Sequence, residues 1–148
     1  MNTLDLVNAV QLSDVLCLEL VAQRQVDAAQ VTPPPADEPD SGQTVLSIHP
    51  VSWGTDIEIW VRAEVATVNA NLACTFAVQY ERSNEVDIPQ EVKTDFIERV
   101  VVMAAVPYVR EAIHSLGSRL RIPSPLLPVL RQGEFKMNSA GAEEGLTR

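Results

Sequence analysis

The chain has 148 residues, 20 acidic against 11 basic side chains and a formal net charge of −9. This length suits one domain with a sizeable core. The negative charge disfavours binding to the phosphate backbone of nucleic acids or to anionic lipid headgroups. The longest uncharged apolar run, residues 100–109, is about half of what a membrane-spanning helix needs. We therefore expect one domain over residues 1–135, without nucleic-acid binding or membrane insertion.

Cysteine and histidine spacing gives no sign of a metal site. Cys17 and Cys74 lie far apart and lack a Cys-x-x-Cys pattern, and we expect both in the core. No Ser-His-Asp grouping, paired carboxylates or glycine-rich phosphate loop stands out, so we expect no enzyme, no metal and no cofactor. Asp5 and Asp14 interrupt any signal-peptide pattern, and this favours the cytoplasm.

The first half of the chain reads as strands. Residues 15–22, VLCLELVA, are typical of a strand covered on both faces, although a helix is an alternative. Residues 32–43, TPPPADEPDSGQ, predict an extended acidic linker. Residues 44–51 alternate loosely and residues 56–68 alternate clearly between apolar and polar types. After a turn at residues 69–71, a return strand should complete an antiparallel hairpin.

Helical spacing follows from Phe96, with Thr94 or Asp95 as the expected N-cap. Pro107 predicts a sharp kink or the start of a second helix. That second part is amphipathic, with Leu116 on its apolar side. Three prolines then hold residues 122–130 extended, and the small polar residues 136–148 predict a flexible tail.

Strands first, then helix, with this junction, resembles the SecB family of export chaperones over residues 94–130. The residues that carry the resemblance are Pro107, Tyr108, Arg110, Glu111, Ser118, Arg119, Pro123, Leu127, Pro128 and Val129. The resemblance implies an α+β fold in which a four-stranded antiparallel sheet packs against one long kinked helix or two consecutive helices. It also implies a homotetramer, built as a dimer of dimers.

The same resemblance implies an ATP-independent holdase that binds unfolded or nascent polypeptides. Its implied roles are protein export, with the SecA motor as a partner, or the guarding of an antitoxin. Two features resemble the shorter, divergent SecB-like branch. The stretch from Pro123 to Pro128 is one residue shorter than in the export chaperones, and Ala77 aligns with the acidic residue that serves SecA docking there.

A holdase needs exposed apolar grooves with adaptable contacts. We expect the proline-rich leucine segment to form one wall of such a groove, because prolines deny it strand pairing. Trp53 and Trp60 fit a groove, the core or an oligomer interface equally well. The residues predicted to line the client-binding groove are Val45, Ile48, Trp53, Trp60, Phe76, Leu126 and Leu127.

Two other classes of protein remain open at this stage. A small-molecule-binding α+β domain would need a deep pocket with convergent polar groups. A structural oligomer subunit, such as a phage accessory protein, would need neither a pocket nor a groove. With 46% hydrophobic residues in a small domain and a first strand that is apolar on both faces, we expect a multimer.

Overall fold

The computed structural model of the chain describes residues 1–25, 43–123, 125 and 127, and the backbone of residues 143–147. Its elements, in chain order, are helix α1 (Thr3–Ala9), strands β1 (Val10–Arg24), β2 (Gln43–Trp53), β3 (Asp56–Ala66) and β4 (Ala70–Arg82), helix α2 (Gln90–Phe96), a π-helical turn (Ile97–Val101), helix α3 (Val102–Arg119) and strand β5 (Glu143–Thr147). Apart from Gln43, the predicted linker at 32–43 lies outside the described residues, as does the predicted tail at 136–148 apart from β5.

The described strands form one antiparallel sheet in the order β1-β4-β3-β2-β5. Strands β3 and β4 are the predicted hairpin, with Val61 directly opposite Phe76. Thr67 fixes their turn, because its Oγ1 accepts the N–H of Ala70 at 3.0 Å. The prediction of four antiparallel strands is confirmed, and β5 adds a fifth strand at the β2 edge.

Alternation along the strands gives the sheet one face packed against the helices and one open face. The helix-packed face carries the buried side chains Leu46, Ile48, Ile57, Ile59, Val61, Ala63, Val65, Leu72, Cys74, Phe76, Val78 and Tyr80. Helices α2 and α3 and the π-helical turn between them cover this face with Phe96, Val101, Ala105, Val109, Ile113 and Leu116. Burial of this apolar surface is the main stabilising term, at about 25 cal/mol for each Å² removed from water.

The helix begins earlier than the sequence predicted. It starts at Gln90, directly after Pro89, so the expected N-cap at Thr94 or Asp95 is wrong. Asp95 lies inside the helix because its carboxylate has other partners. It accepts a hydrogen bond from the Thr3 hydroxyl of α1 and pairs with the Arg99 Nε at 2.7 Å.

Pro107 lies within α3 and starts no new helix. It is exposed, so solvent can satisfy the carbonyl that its missing N–H leaves unpaired. The departure from regular α geometry lies earlier, where the N–H of Val102 bonds the carbonyl of Ile97 in a π-turn. The predicted long helical element is therefore present as joined helices, with a π-turn before Pro107.

Helix α3 ends in a tight left-handed turn. The N–H of Ile122 bonds the carbonyl of Gly117 at 3.2 Å, and the N–H of Arg121 bonds that of Ser118 at 3.1 Å. This is a Schellman arrangement, in which the residue after the cap takes positive φ and is usually glycine. Here it is Arg121, with φ of 55°.

Strand β1 differs most from its prediction. It spans 15 residues, has β4 as its one neighbour among the described strands, and is mostly exposed. The expectation of cover on both faces is therefore wrong for a single chain, because β1 lies at the edge of the sheet. The same position leaves Cys17 exposed, whereas Cys74 on β4 is buried as expected.

Candidate functional site

Exposed apolar side chains are concentrated on β1. Leu12, Leu16, Leu18 and Leu20 are each 42–54% exposed. They lie on both faces of the strand: the register sets Leu16 opposite Ala77 of the open face, and Leu20 opposite Cys74 of the helix-packed face. A long apolar edge strand is a surface that monomers seldom leave uncovered, so β1 is suited to bind polypeptide or a second copy.

The open face of the sheet contains a cleft of about 460 Å³. It is lined by Leu18 and Glu19 of β1, Ser47 and His49 of β2, Trp60 and Arg62 of β3, and Thr75 of β4. Small side chains on β4 make its floor possible, since Ala73, Thr75 and Ala77 occupy the open-face positions between β1 and β3. The cleft therefore runs across four strands, with apolar walls on β1 and β3.

Trp60 is the aromatic wall of this cleft. Its side chain is 36% exposed, and its Nε1 donates to Glu58 Oε2 at 3.2 Å. Its ring lies 5.7 Å from that of His49, tilted by 44°. Because the indole N–H already has an acceptor, the ring is held in place and its exposed part is available for apolar or aromatic contact.

Arg62 ties the two walls of the cleft together. Its guanidinium pairs with Glu19 of β1 and, at 2.9 Å, with Glu64 of β3, and it donates to Thr75 Oγ1 at 3.1 Å. The hydrogen bond to Glu19, followed by that to Glu64, raises the pKa of Arg62. The guanidinium therefore stays charged, and its ion pair holds the Glu19 side chain of β1 over the cleft.

A second aromatic group lies where the sheet meets α2. The Trp53 ring packs edge-on against Phe96 at 6.4 Å, and Phe96 packs against Tyr80 at 5.2 Å. Lys93 places its Nζ 5.5 Å from the centre of the Trp53 ring. The Tyr80 hydroxyl is buried and has no hydrogen-bond partner among the described residues, and burial raises its pKa to about 12.

Arg82 holds this aromatic group in position. It is 8% exposed and donates three hydrogen bonds to backbone carbonyls: to Trp53 and Gly54 at 2.8 Å each, and to Val86 at 2.7 Å. These bonds join the β2–β3 turn to the segment that leads into α2. The half-buried Trp53 is thereby fixed at the end of the sheet.

The structure distributes the seven predicted groove residues over different places. Ile48 and Phe76 are 1% and 5% exposed and belong to the core beneath the helices. Val45 and Trp60 lie on the open face, while Trp53 lies at the sheet end. Leu127 packs partly buried against the core, and Leu126 lies outside the described residues. Among the described residues, Val45 and Trp60 therefore share the open face, whereas Trp53 and Leu127 lie against the helices and the core.

Sequence reasoning missed Leu16, Leu18 and Arg62. The two leucines belong to the run that reads as a strand covered on both faces, and Leu16, Leu18 and Leu20 follow a period of two that would place all three on one face. A register shift between Cys17 and Glu19 instead places Leu16 and Leu20 on opposite faces, and no local pattern in the sequence indicates this bulge. Arg62 occupies a polar position in the alternating run 56–68, but nothing local in the sequence indicates that its partner is Glu19.

Within the described residues, no group of three or more His, Cys, Asp or Glu side chains is arranged to hold a metal ion. Over the same part of the chain, no helix is both long and apolar enough to span a bilayer.

No family model matches the sequence. A curated relative, the SecB-like chaperone SmegB of Mycolicibacterium smegmatis, is 26% identical over 136 residues, which cover 92% of this chain and 86% of the relative. Among solved structures, the Mycobacterium tuberculosis Rv1957 SecB-like chaperone, in complex with a ChAD peptide from the Rv1956 HigA1 antitoxin, shares the fold with a TM-score of 0.65. That match has 22% identity and covers 86% of this chain and 96% of the other. The chain is therefore similar over nearly its full length to one SecB-like chaperone, and it shares the fold of a second.

Proposed function

We propose that the protein is an ATP-independent holdase that binds unfolded polypeptide, with the guarding of an antitoxin as its role. One observation carries this proposal: the apolar strand β1 and the Trp60 cleft together offer open, adaptable apolar surface on a rigid sheet. The name of the curated relative and the antitoxin peptide bound to the Rv1957 chaperone support the same class.

The client surface we propose combines the predicted groove residues that remain accessible with those that the fold adds. Leu18 and Trp60 form facing walls of the open-face cleft, and Val45 extends the same face along β2. Trp53, which packs on Phe96 of α2, and Leu127, which packs against the core after α3, offer two further contact points. Ile48 and Phe76 contribute indirectly, because their packing in the core supports the sheet that carries the exposed side chains.

The oligomer we propose is a homotetramer, with β1 in its first interface. An unpaired edge strand with leucines on both faces favours association with the same strand of a second copy. Light scattering coupled to size-exclusion chromatography measures the mass. A mass of one chain at micromolar concentration would reject this assembly, and Leu20→Lys should lower the mass of the wild-type oligomer.

The SecA motor is the partner that the open face supports least. Ala77 is fully buried and lies between Leu16 and Trp60 in the cross-strand register. This position therefore offers no carboxylate to a docking partner. We propose an antitoxin or another unfolded chain as the physiological ligand, and a pull-down with purified SecA tests the alternative.

Suppression of aggregation of a chemically denatured model protein, without nucleotide, tests the function. The wild-type chain should suppress light scattering, and the double variant Leu18→Ser with Trp60→Ser should lose most of this activity. An anchoring tryptophan typically contributes about 2 kcal/mol or more, which is roughly a thirtyfold change in affinity. The control is Val68→Ser, because Val68 is 81% exposed in the β3–β4 turn, outside the cleft.

The same assay separates the other two classes of protein. A small-molecule-binding domain or a purely structural subunit would not suppress aggregation at stoichiometric concentration. The open shape of the cleft disfavours the first of these, since small-molecule sites enclose most of their ligand. Equal activity of the double variant and of Val68→Ser would move the client surface away from the cleft.

A further inference from the structure

The edge of β2 carries a strand that covers only part of it. Strand β5 pairs antiparallel with the first half of β2, from Gln43 opposite Thr147 to Ser47 opposite Glu143. The second half of β2, residues 48–53, has no β5 partner. Strand β5 thus covers the first half of the β2 edge, and the edge continues beyond β5.

The composition of β5 makes it a weak strand. It reads EEGLT, and both glutamate and glycine are depleted in strands. The register places Glu144 opposite Leu46 and Gly145 opposite Val45. An acidic residue opposite a leucine, and a glycine opposite a valine, provide little of the cross-strand contact that stabilises a sheet. A segment with apolar residues at these two positions would pair better with β2.

Strand β2 offers a regular pattern to such a segment. Thr44, Leu46 and Ile48 are buried on the helix-packed face, so residues opposite them would extend the core. Ser47 and His49 line the cleft on the open face, so residues opposite them would lie beside His49 at the rim of the cleft. The pattern ends at Pro50, which has no N–H to donate to a ladder.

We propose that the β2 edge from Gln43 to His49 is a strand-addition site for an extended polypeptide, and that β5 occupies part of this site within the chain. The favoured ligand has apolar residues at alternate positions, opposite Leu46 and Ile48. This inference rests on the proposed polypeptide-binding function and names a place and a mode of binding for it. Release of β5 then precedes binding, so the weakness of β5 sets how readily the edge opens.

Disulfide trapping tests whether β5 pairs in this register in solution. In a Cys17→Ser background, one variant carries Ser47→Cys with Glu143→Cys, and another carries Thr44→Cys with Leu146→Cys. Adjacent pairs in an antiparallel ladder alternate between wide and close spacing, so one of the two variants has the close geometry that a disulfide needs. A crosslink in one of them, and none in the off-register control Ser47→Cys with Gly145→Cys, supports the pairing. Equal crosslinking in all three variants, or in none, overturns it.

Binding of a fluorescent nine-residue peptide of alternating valine and threonine tests the ligand mode. Its control is the same peptide with every backbone nitrogen methylated, which keeps the side chains and removes every N–H that could pair with the edge of a sheet. We expect the unmodified peptide to bind and the methylated peptide to bind at least tenfold more weakly. Deletion of residues 143–148 should tighten binding about fivefold. While β5 occupies the edge, the apparent affinity for the peptide is the intrinsic affinity multiplied by the fraction of chains in which the edge is free.

A strengthened β5 provides the opposite test. Glu144→Val with Gly145→Val gives β5 strand-favouring residues at the weak positions and should weaken peptide binding several-fold. If the deletion and the strengthened variant both bind like the wild type, or if the methylated peptide binds equally well, the edge is not the site. Aggregation suppression that persists under those results leaves the proposed holdase function standing, whereas its loss in the wild-type chain rejects that function separately.

Discussion

Replacement of Arg82 by methionine should destabilise the protein strongly, although the residue lies far from the open-face cleft. The substitution keeps an unbranched apolar stem and removes the three donors that bond the carbonyls of Trp53, Gly54 and Val86. Hydrogen bonds to a charged group contribute about 1.5–3 kcal/mol each where the acceptors stay buried. Gly54 and Trp53 are half-buried and Val86 is exposed, so water can reach part of this site. We therefore expect a loss of about 3 kcal/mol in the free energy of unfolding.

Thermal unfolding followed by circular dichroism measures this loss. For a chain of this length, about 3 kcal/mol corresponds to a decrease in Tm of roughly 6–12 °C. Protein concentration must be held fixed, because an oligomer gains stability from association. Urea titration gives the same free energy independently of temperature.

Arg99→Met is the matched control. Arg99 is about half exposed and forms an i,i+4 ion pair with Asp95, an interaction that contributes about 0.3–0.5 kcal/mol. If Arg82→Met lowers the Tm no more than Arg99→Met does, the three-carbonyl clamp does not stabilise the fold and our reasoning is wrong. Arg82→Lys should fall between the two, because an ammonium group cannot span three separated carbonyls as a guanidinium does.

Three further changes test other parts of the structure. Arg121→Gly should stabilise the chain by about 0.5–1 kcal/mol, because glycine accepts the positive φ at the end of α3; an unchanged urea midpoint would contradict this. Pro107→Ala should raise the free energy of unfolding, measured by urea titration, by about 1 kcal/mol or more, because it restores a helix N–H; a fall would mean that the ring is needed for packing. Burial raises the pKa of Cys74 from 9.0 to about 12, so its folded form keeps a proton that the unfolded chain releases. The free energy of unfolding should therefore fall as pH rises from about 9 to 12, and Cys74→Ala should flatten that decline in a urea series.

Much of the fold follows from local pattern. Alternation in residues 56–81 predicts the β3–β4 hairpin and the face that carries Ile59, Val61 and Phe76, because a period of two places these side chains together on any pleated strand. The spacing of Leu116 and its neighbours predicts an amphipathic helix for the same kind of reason. The SecB-like resemblance, carried by the residues around Pro107, implies the α+β fold that the structure shows.

Tertiary structure decided what local pattern leaves open. Period and composition do not state which strand lies at an edge, so β1 was expected to be covered and its leucines were not recognised as surface. Ile48 and Phe76 have the same apolar character as Trp60 in the sequence, yet the packing of α2 and α3 buries the first two and leaves Trp60 on the open face. The ion pair between Arg62 and Glu19 and the pairing of β5 with β2 each bring together residues that are distant in the chain. The sequence therefore determined the secondary-structure elements and their apolar faces. Strand order and helix placement determined which apolar side chains remain available for binding, because burial depends on neighbours that only the folded chain brings together.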